Sequence, residues 1–136
     1  ADPGADLISI AHEMKVKVKP LVGPSSIFLA LMASGMNGQN FMFNGYLSID
    51  KKERKEQIKL LEKKSNSTTQ IFMETPYRND NLIIDLISYL KPLTKLCIAT
   101  DITLENELIK TELIRDWKKN KIIYKKRPSI FLIQSD

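Results

Sequence analysis

The sequence is poor in the residues that most often build reactive centres, with one cysteine, Cys97, and one histidine, His12, among its 136 residues. A single cysteine excludes an internal disulfide and a cysteine-based zinc site, and it is typical of the reducing cytoplasm, which is the location we expect. No spacing of carboxylates, histidines or hydroxyls suggests a catalytic triad, a carboxylate pair or a metal site. Any catalysis would therefore depend on positioning the reactants, and not on a metal ion or a reactive side chain.

Long apolar runs are also missing. No run approaches the roughly 20 residues that a membrane-spanning helix needs, so we expect no membrane partner. Aromatic residues make up 7% of the chain, hydrophobic residues 43% and charged residues 27%. This composition is ordinary for a globular protein, and at this length roughly 68% of the unfolded surface can be buried. It predicts a folded domain that needs no disulfide or metal for stability.

The net charge of +5 is distributed unevenly. Residues 51–64 contain seven basic and three acidic residues, and residues 115–127 contain seven basic residues and one acidic residue. These two stretches carry a net charge of +10, so the rest of the chain carries −5. Such segregation can attract a polyanion such as RNA, because binding releases the counterions of its phosphates. Lysines that simply cover solvated helix faces would give the same pattern.

Helical and strand patterns alternate along the chain. Apolar spacing predicts helices over 6–14, 27–34 and 82–90, and a capping pair of Asp50 and Glu53 predicts a basic helix after residue 50. Strands are predicted over 15–22, 41–49, 69–75, 95–102 and 128–134, and residues 108–117 predict a short strand that passes into a helix. This alternation is typical of an α/β sheet with helices on its faces.

Three loops at predicted strand ends could build a ligand site, because ligands of α/β sheets bind at the carboxyl ends of strands. The loops span 23–26, 74–78 and 100–103. The first loop could bind an anion or a carboxylate at the start of a helix, or it could be a simple turn in which a serine caps the helix. In the second, Glu74 and Arg78 either line a polar site or pair with each other, and in the third Asp101 is either a ligand or a helix cap.

Five motifs in order resemble one known family. They are ADPGADL at 1–7, PLVGPSS at 20–26, LMASG at 31–35, FNGYL at 43–47 followed by KKER at 51–54, and FMETPYR at 72–78. Together they resemble the tetrapyrrole methylase superfamily and, within it, the ribosomal RNA small-subunit methyltransferase I branch. The resemblance extends over essentially the whole chain.

The resemblance implies a mixed β-sheet flanked by helices in α/β/α layers, like the second domain of tetrapyrrole methylases. It implies that residues 1–14 are the last helix of an amino-terminal domain absent from this chain, and that 15–136 form the carboxy-terminal methyltransferase domain. The implied activity is S-adenosylmethionine-dependent methylation, with 2′-O-methylation of small-subunit ribosomal RNA expected. The chain would supply half of the cofactor cleft and be inactive alone, and a homodimer is expected from the superfamily.

The resemblance also implies which residues contact the cofactor, although it assigns no catalytic residue and no metal ligand. The implied cofactor residues form four pairs. They are Ser25 and Ser26 after the turn, Met73 and Glu74 at a strand end, Asp101 and Ile102 in a loop, and Pro128 and Ser129 at the start of the last strand.

The sequence departs from the branch at two positions. Residues 100–104 read TDITL where the branch usually has Arg-Glu-Leu-Thr-Lys, and Tyr77 stands where the branch commonly has histidine. The missing basic residues leave open a methylase of a tetrapyrrole or another small molecule. A non-catalytic RNA-binding module is a separate alternative.

Overall fold

The computed structural model describes residues 4–119, 121 and 123–135, and its described part contains five strands in one sheet. The elements in chain order are α1 (Ala5–Glu13), α2 (Ser26–Ser34), β1 (Phe41–Tyr46), α3 (Lys51–Lys64), β2 (Thr69–Met73), a 3-10 turn (Pro76–Arg78), α4 (Asn79–Tyr89), β3 (Lys95–Thr100), β4 (Leu108–Leu113), α5 (Ile114–Trp117) and β5 (Ser129–Gln134).

The sheet is mixed, with the strand order β1-β2-β5-β3-β4. β1 pairs with β2 in parallel, whereas the β2–β5, β5–β3 and β3–β4 pairs are antiparallel. β1, β2 and β3 therefore run in the same direction, and their carboxyl ends share one edge with the starts of β4 and β5. The last strand in the sequence lies between β2 and β3, so the two loops that follow those strands flank its first residues.

Helices cover both faces of the sheet, which confirms the predicted α/β/α layers. Alternation along each inner strand separates two apolar clusters, because successive side chains point to opposite faces. On one face, Phe72, Ile98 and Phe131 pack in a cluster with residues of α3, α4 and α5. On the other, Ile71 and Ala99 pack in a cluster with residues of α2.

Local signals account for several element ends. The Asp50 side chain accepts hydrogen bonds from the backbone N–H groups of Lys52 and Glu53, both at 2.9 Å, and this N-cap begins α3. The Glu53 half of the predicted capping pair differs, since Glu53 Oε2 accepts from Ser48 Oγ at 2.8 Å and the Asp50 N–H donates to Ser48 Oγ. α2 ends at Gly35, whose φ of +71° is the left-handed conformation typical of a glycine after a helix. In β1 the pairing register shifts at Gly45, which has a φ of +64°.

The predicted strand over 15–22 is wrong. The segment has no regular secondary structure, and most of it is exposed, including Val16 and Leu21. Its Lys-Val alternation satisfies the period of a strand, but no neighbouring strand pairs with it and no core lies under its valines. α1, which precedes it, has no buried residue.

None of the described helices is long and apolar enough to cross a membrane.

Candidate functional site

A cavity of about 340 Å³ opens at the sheet edge where β1, β2 and β3 end. Seven of the eight predicted cofactor residues line it, namely Ser26, Met73, Glu74, Asp101, Ile102, Pro128 and Ser129. The eighth, Ser25, does not line the cavity and is the N-cap residue of α2. The structure thus brings together residues from four separate segments of the chain, while their role as cofactor ligands stays a prediction.

Sequence reasoning missed five residues of the cavity wall, which are Tyr46, Pro76, Ala99, Leu104 and Ile130. Tyr46 is the last residue of β1, and the strand-end rule that selected the other loops would have selected it too. Ala99 and Ile130 lie on the sheet face that packs against α2. Leu104 is more than half exposed in the loop after β3, and no local pattern marks it.

An ion pair fixes the loop after β2. The Glu74 side chain is 1% exposed, and its Oε1 accepts hydrogen bonds from Arg78 Nη2 at 2.7 Å and Nε at 3.0 Å. The same oxygen accepts from the backbone N–H of Thr75 at 2.6 Å. Of the two interpretations of this loop, the internal pair is therefore present, and Glu74 shapes the cavity wall while its Oε1 is engaged by the turn.

A second ion pair fixes the loop after β3. Asp101 is 4% exposed and its Oδ2 accepts from Arg127 Nε and from Asn106 Nδ2, both at 2.7 Å. Its backbone N–H donates to the carbonyl of Pro128 at 2.9 Å. Asp101 also has a φ of +50°, a left-handed conformation that Asp and Asn tolerate better than most residues. Asp101 is thus a clamp between the β3 loop and the segment before β5, and it caps none of the helices in the described part of the chain.

A buried polar network lies behind the cavity. The Ser129 hydroxyl lies 3.0 Å from the Thr100 hydroxyl, and the Asn79 side-chain N–H groups donate to Ser129 Oγ at 3.2 Å and to the Arg127 carbonyl at 2.6 Å. Such networks hold a backbone in one arrangement, because an unsatisfied buried polar group is costly. The network therefore fixes the starts of β5 and α4 around the cavity.

The cavity wall is mostly apolar, with a few polar groups at its border and no unpaired buried carboxylate among its described residues. Its two buried carboxylates, on Glu74 and Asp101, are each paired with an arginine, and most of the remaining wall is apolar. Among the described residues, no group of three or more His, Cys, Asp or Glu could hold a metal ion. A small molecule with an apolar body suits this arrangement, since binding cavities are mostly apolar with a few placed polar groups.

Sequence comparison finds relatives that share one name. The chain is 37% identical over 109 residues to a ribosomal RNA small subunit methyltransferase I of Vibrio cholerae, with 80% of this chain and 37% of that protein aligned. It is 34% identical over 136 residues to the protein of that name from Buchnera aphidicola subsp. Schizaphis graminum, with 97% of this chain and 47% of that protein aligned. The chain thus spans less than half the length of these relatives. No protein-family model matches the sequence.

Structure comparison finds methyltransferases as well. A cobalt precorrin-4 methyltransferase superposes with a TM-score of 0.58 at 14% identity, over 97% of this chain and 58% of the other. A second neighbour is a uroporphyrin-III C-methyltransferase from Thermus thermophilus, solved in complex with S-adenyl homocysteine. It superposes with a TM-score of 0.52 at 10% identity, over 97% of this chain and 59% of the other. The resemblance that the motifs indicated is confirmed: the sequence relatives of this chain are ribosomal RNA small subunit methyltransferases I, and its fold is that of the tetrapyrrole methyltransferases.

Proposed function

We propose that this chain forms part of the cofactor site of an S-adenosylmethionine-dependent methyltransferase that acts on small-subunit ribosomal RNA, in the cytoplasm, at a ribose 2′-oxygen. The observation that carries the proposal is one cavity lined by seven residues that the resemblance assigns to the cofactor. The names of the sequence relatives and the S-adenyl homocysteine complex of a structural neighbour support it.

The residues of the cavity suit an adenosyl group. Met73, Ala99 and Ile130 offer an apolar surface to a flat ring, while Ser26 and Ser129 add hydroxyls at its border. The cofactor supplies a methyl group on a sulfonium, which is already activated for transfer. The chain's share is to hold the donor in one orientation and to exclude water, and orientation alone can lower a barrier by roughly 7–11 kcal/mol in favourable cases.

The volume of about 340 Å³ lies near the lower end of the range for small-molecule sites. This fits a cleft to which another part of the protein adds a wall. We propose that residues 15–136 are one domain and that 1–14 belong to a preceding domain. The support is α1, which has no buried residue and exposes Leu7 and Met14 at 70% each. In the expected homodimer, a second copy of the chain would cover the same side chains. Sedimentation of the intact protein measures whether that dimer forms.

Ribosomal RNA is the proposed partner because of the basic stretches 51–64 and 115–127. Most lysines of α3 are exposed, including Lys51, Lys52 and Lys59. Their phosphate contacts would orient a polyanion without reading its sequence.

A small-molecule substrate is the second candidate. A groove of about 340 Å³ adjoins the cavity at Ile102 and runs between α2 and β4, with apolar walls that include Met32 and Ile109. This groove would suit a small molecule with an apolar face, and the names of the structural neighbours give small-molecule substrates, a cobalt precorrin and uroporphyrin-III. Activity of the intact protein on small ribosomal subunits, compared with uroporphyrinogen, separates the two candidates. A non-catalytic RNA-binding module would bind RNA but not the cofactor.

The cavity is tested by calorimetry with S-adenosylhomocysteine on the intact protein. Ser26→Phe places a ring at the cavity wall and should reduce cofactor affinity at least tenfold, equivalent to about 1.4 kcal/mol. Ser88→Phe is the matched control, because Ser88 is also an exposed helical serine but lies near the end of α4, outside the cavity. Equal affinities of the wild type and Ser26→Phe would remove this cavity from the cofactor site.

A further inference from the structure

A short segment, residues 124–128, forms one rim of the cavity. Pro76 and Pro128 both line the cavity, and the backbone N–H of Lys126 donates to the Pro76 carbonyl at 2.8 Å. The segment therefore runs along the 3-10 turn Pro76–Arg78, beside the cavity wall that Pro76 and Pro128 form. We call residues 124–128 together with Tyr77 the basic rim.

The basic rim is held in place at several points although it has no regular secondary structure. The Asn79 amide donates to the Tyr124 carbonyl at 3.2 Å, and Asp80 Oδ1 accepts from the Tyr124 N–H at 2.9 Å. The Tyr124 ring packs edge-on against the buried Trp117, with the ring centroids 6.3 Å apart. The segment is thus a fixed platform.

The exposed side chains of this region belong to two lysines of the segment and a tyrosine of the neighbouring 3-10 turn. Lys125 and Lys126 are exposed, and no ion pair engages either of them in the part of the chain that the structure describes. Lys126 has a φ of +66°, a conformation that a lysine keeps only where its surroundings impose it. Tyr77 is 68% exposed. The arginines of the same region differ, since Arg78 and Arg127 are paired with the wall carboxylates.

We propose that the basic rim binds unpaired RNA nucleotides next to the methylated one, with a base stacked on the Tyr77 ring and phosphates on Lys125 and Lys126. The inference rests on the proposed function for the choice of RNA. An exposed aromatic ring beside unpaired cations is the combination that single-stranded RNA recognition uses, because every base has a face that stacks. A duplex keeps its bases stacked on one another and offers none to Tyr77, so the rim should prefer a single strand.

The test measures binding of a fluorescein-labelled single-stranded RNA of about 12 nucleotides, within the span such sites cover, and of the same sequence as a duplex. The variants are Tyr77→Ala, Tyr77→Phe and the double change Lys125→Ala with Lys126→Gly, in which glycine keeps the positive φ. The control double change Lys15→Gly with Lys17→Ala removes the same charge from two exposed lysines outside the basic stretches, and glycine again replaces a lysine of positive φ, here +57°. Neither residue lines the cavity.

We expect Tyr77→Ala to weaken single-strand binding roughly 5- to 100-fold, and Tyr77→Phe to restore most of it, because stacking needs the ring and not the hydroxyl. The rim double change should reduce the slope of log affinity against log salt by about 1.4, at about 0.7 for each phosphate that the variant no longer neutralises. A fall of the same size in the control variant at Lys15 and Lys17, or tighter binding of the duplex, would overturn the inference.

Calorimetry with S-adenosylhomocysteine on the same variants separates this inference from the proposed function. Unchanged cofactor affinity together with weakened RNA binding supports the basic rim. Wild-type protein that binds the RNA through Tyr77 but never binds the cofactor would overturn the methyltransferase proposal and leave the rim as an RNA site. Cofactor binding with full RNA affinity in the Tyr77 and lysine variants would overturn only the rim.

Discussion

The Asp101 clamp makes the sharpest prediction for stability, because Asp101 combines a buried charge with an unusual backbone conformation. Its carboxylate holds Arg127 and Asn106, and its φ is +50°. Three substitutions separate the two contributions. Asp101→Asn keeps a side chain that tolerates positive φ but removes the charge. Asp101→Gly removes the side chain and relieves the backbone, whereas Asp101→Ala removes the carboxylate and leaves the backbone strained.

The expected sizes follow from the contacts. Hydrogen bonds to a charged group contribute about 1.5–3 kcal/mol each, and an asparagine oxygen can keep one of the two as a weaker neutral acceptor. Because the Arg127 side chain is 27% exposed, water compensates part of its loss. We therefore expect Asp101→Asn to lower the free energy of unfolding by about 2 kcal/mol. Asp101→Ala should lower it by about 3–4 kcal/mol, since the left-handed backbone adds roughly 1 kcal/mol for alanine, and Asp101→Gly should fall between them.

Urea unfolding followed by tryptophan fluorescence measures these changes, because Trp117 is the single tryptophan and is buried. The order Asn, Gly, Ala of increasing loss is the signature of both contributions acting together. The reasoning is refuted if Asp101→Gly and Asp101→Ala unfold at the same urea concentration, because these two variants both lack the side chain and differ in the backbone contribution. It is refuted equally if neither differs from the wild type.

Three further predictions concern buried groups that do not line the cavity. Arg54→Met should cost about 3–5 kcal/mol, because it leaves the buried Asp85 carboxylate without its partner, and adding Asp85→Leu should restore most of the loss in thermal melts. Burial raises the pKa of the Cys97 thiol, so a thiol reagent should label the native protein far more slowly than the denatured protein, and equal rates would contradict the buried position. Burial also raises the pKa of Tyr124 above its ordinary value of 10.0, so the folded state favours the neutral phenol. The stability from this group is complete below pH 10.0 and is lost as the pH rises through the raised value, and a Tyr124→Phe variant should lack this component in denaturation series at alkaline pH.

Much of the secondary structure could be predicted because its signals are local. The Asp50 cap, the glycine after α2 and the apolar face of α4 each lie within a few residues of the element they define. The strand predicted over 15–22 is absent because its signal is incomplete. Alternation of polar and apolar residues shows only that the two faces of an extended segment would differ in polarity. Whether a partner strand exists is decided by distant parts of the chain.

The cavity could be predicted in part. The resemblance selected four pairs of residues, and two of these pairs lie at the ends of β2 and β3, which run in the same direction and bring their carboxyl ends to one edge. The other two pairs differ, since Ser25 and Ser26 follow a segment without regular structure, and Pro128 and Ser129 open β5. Neither pattern reveals that Asp101 pairs with Arg127, 26 residues later, because that contact depends on β5 lying between β2 and β3. The same insertion places Pro128 and Ser129 in the cavity wall. Long-range topology therefore determines the part of the site that sequence patterns left open.

The placement of the basic residues implies a division of roles around the cavity. Arg78 and Arg127 are bound to buried carboxylates, and they shape the loops after β2 and β3. Lys125 and Lys126 project from the adjoining rim and face solvent. Under the proposed function, a change to either arginine should alter cofactor affinity and stability together, whereas a change to the lysines should alter RNA affinity alone. A fold in which all four cations served the RNA would show no such separation, because every substitution would then shift the salt dependence of RNA binding.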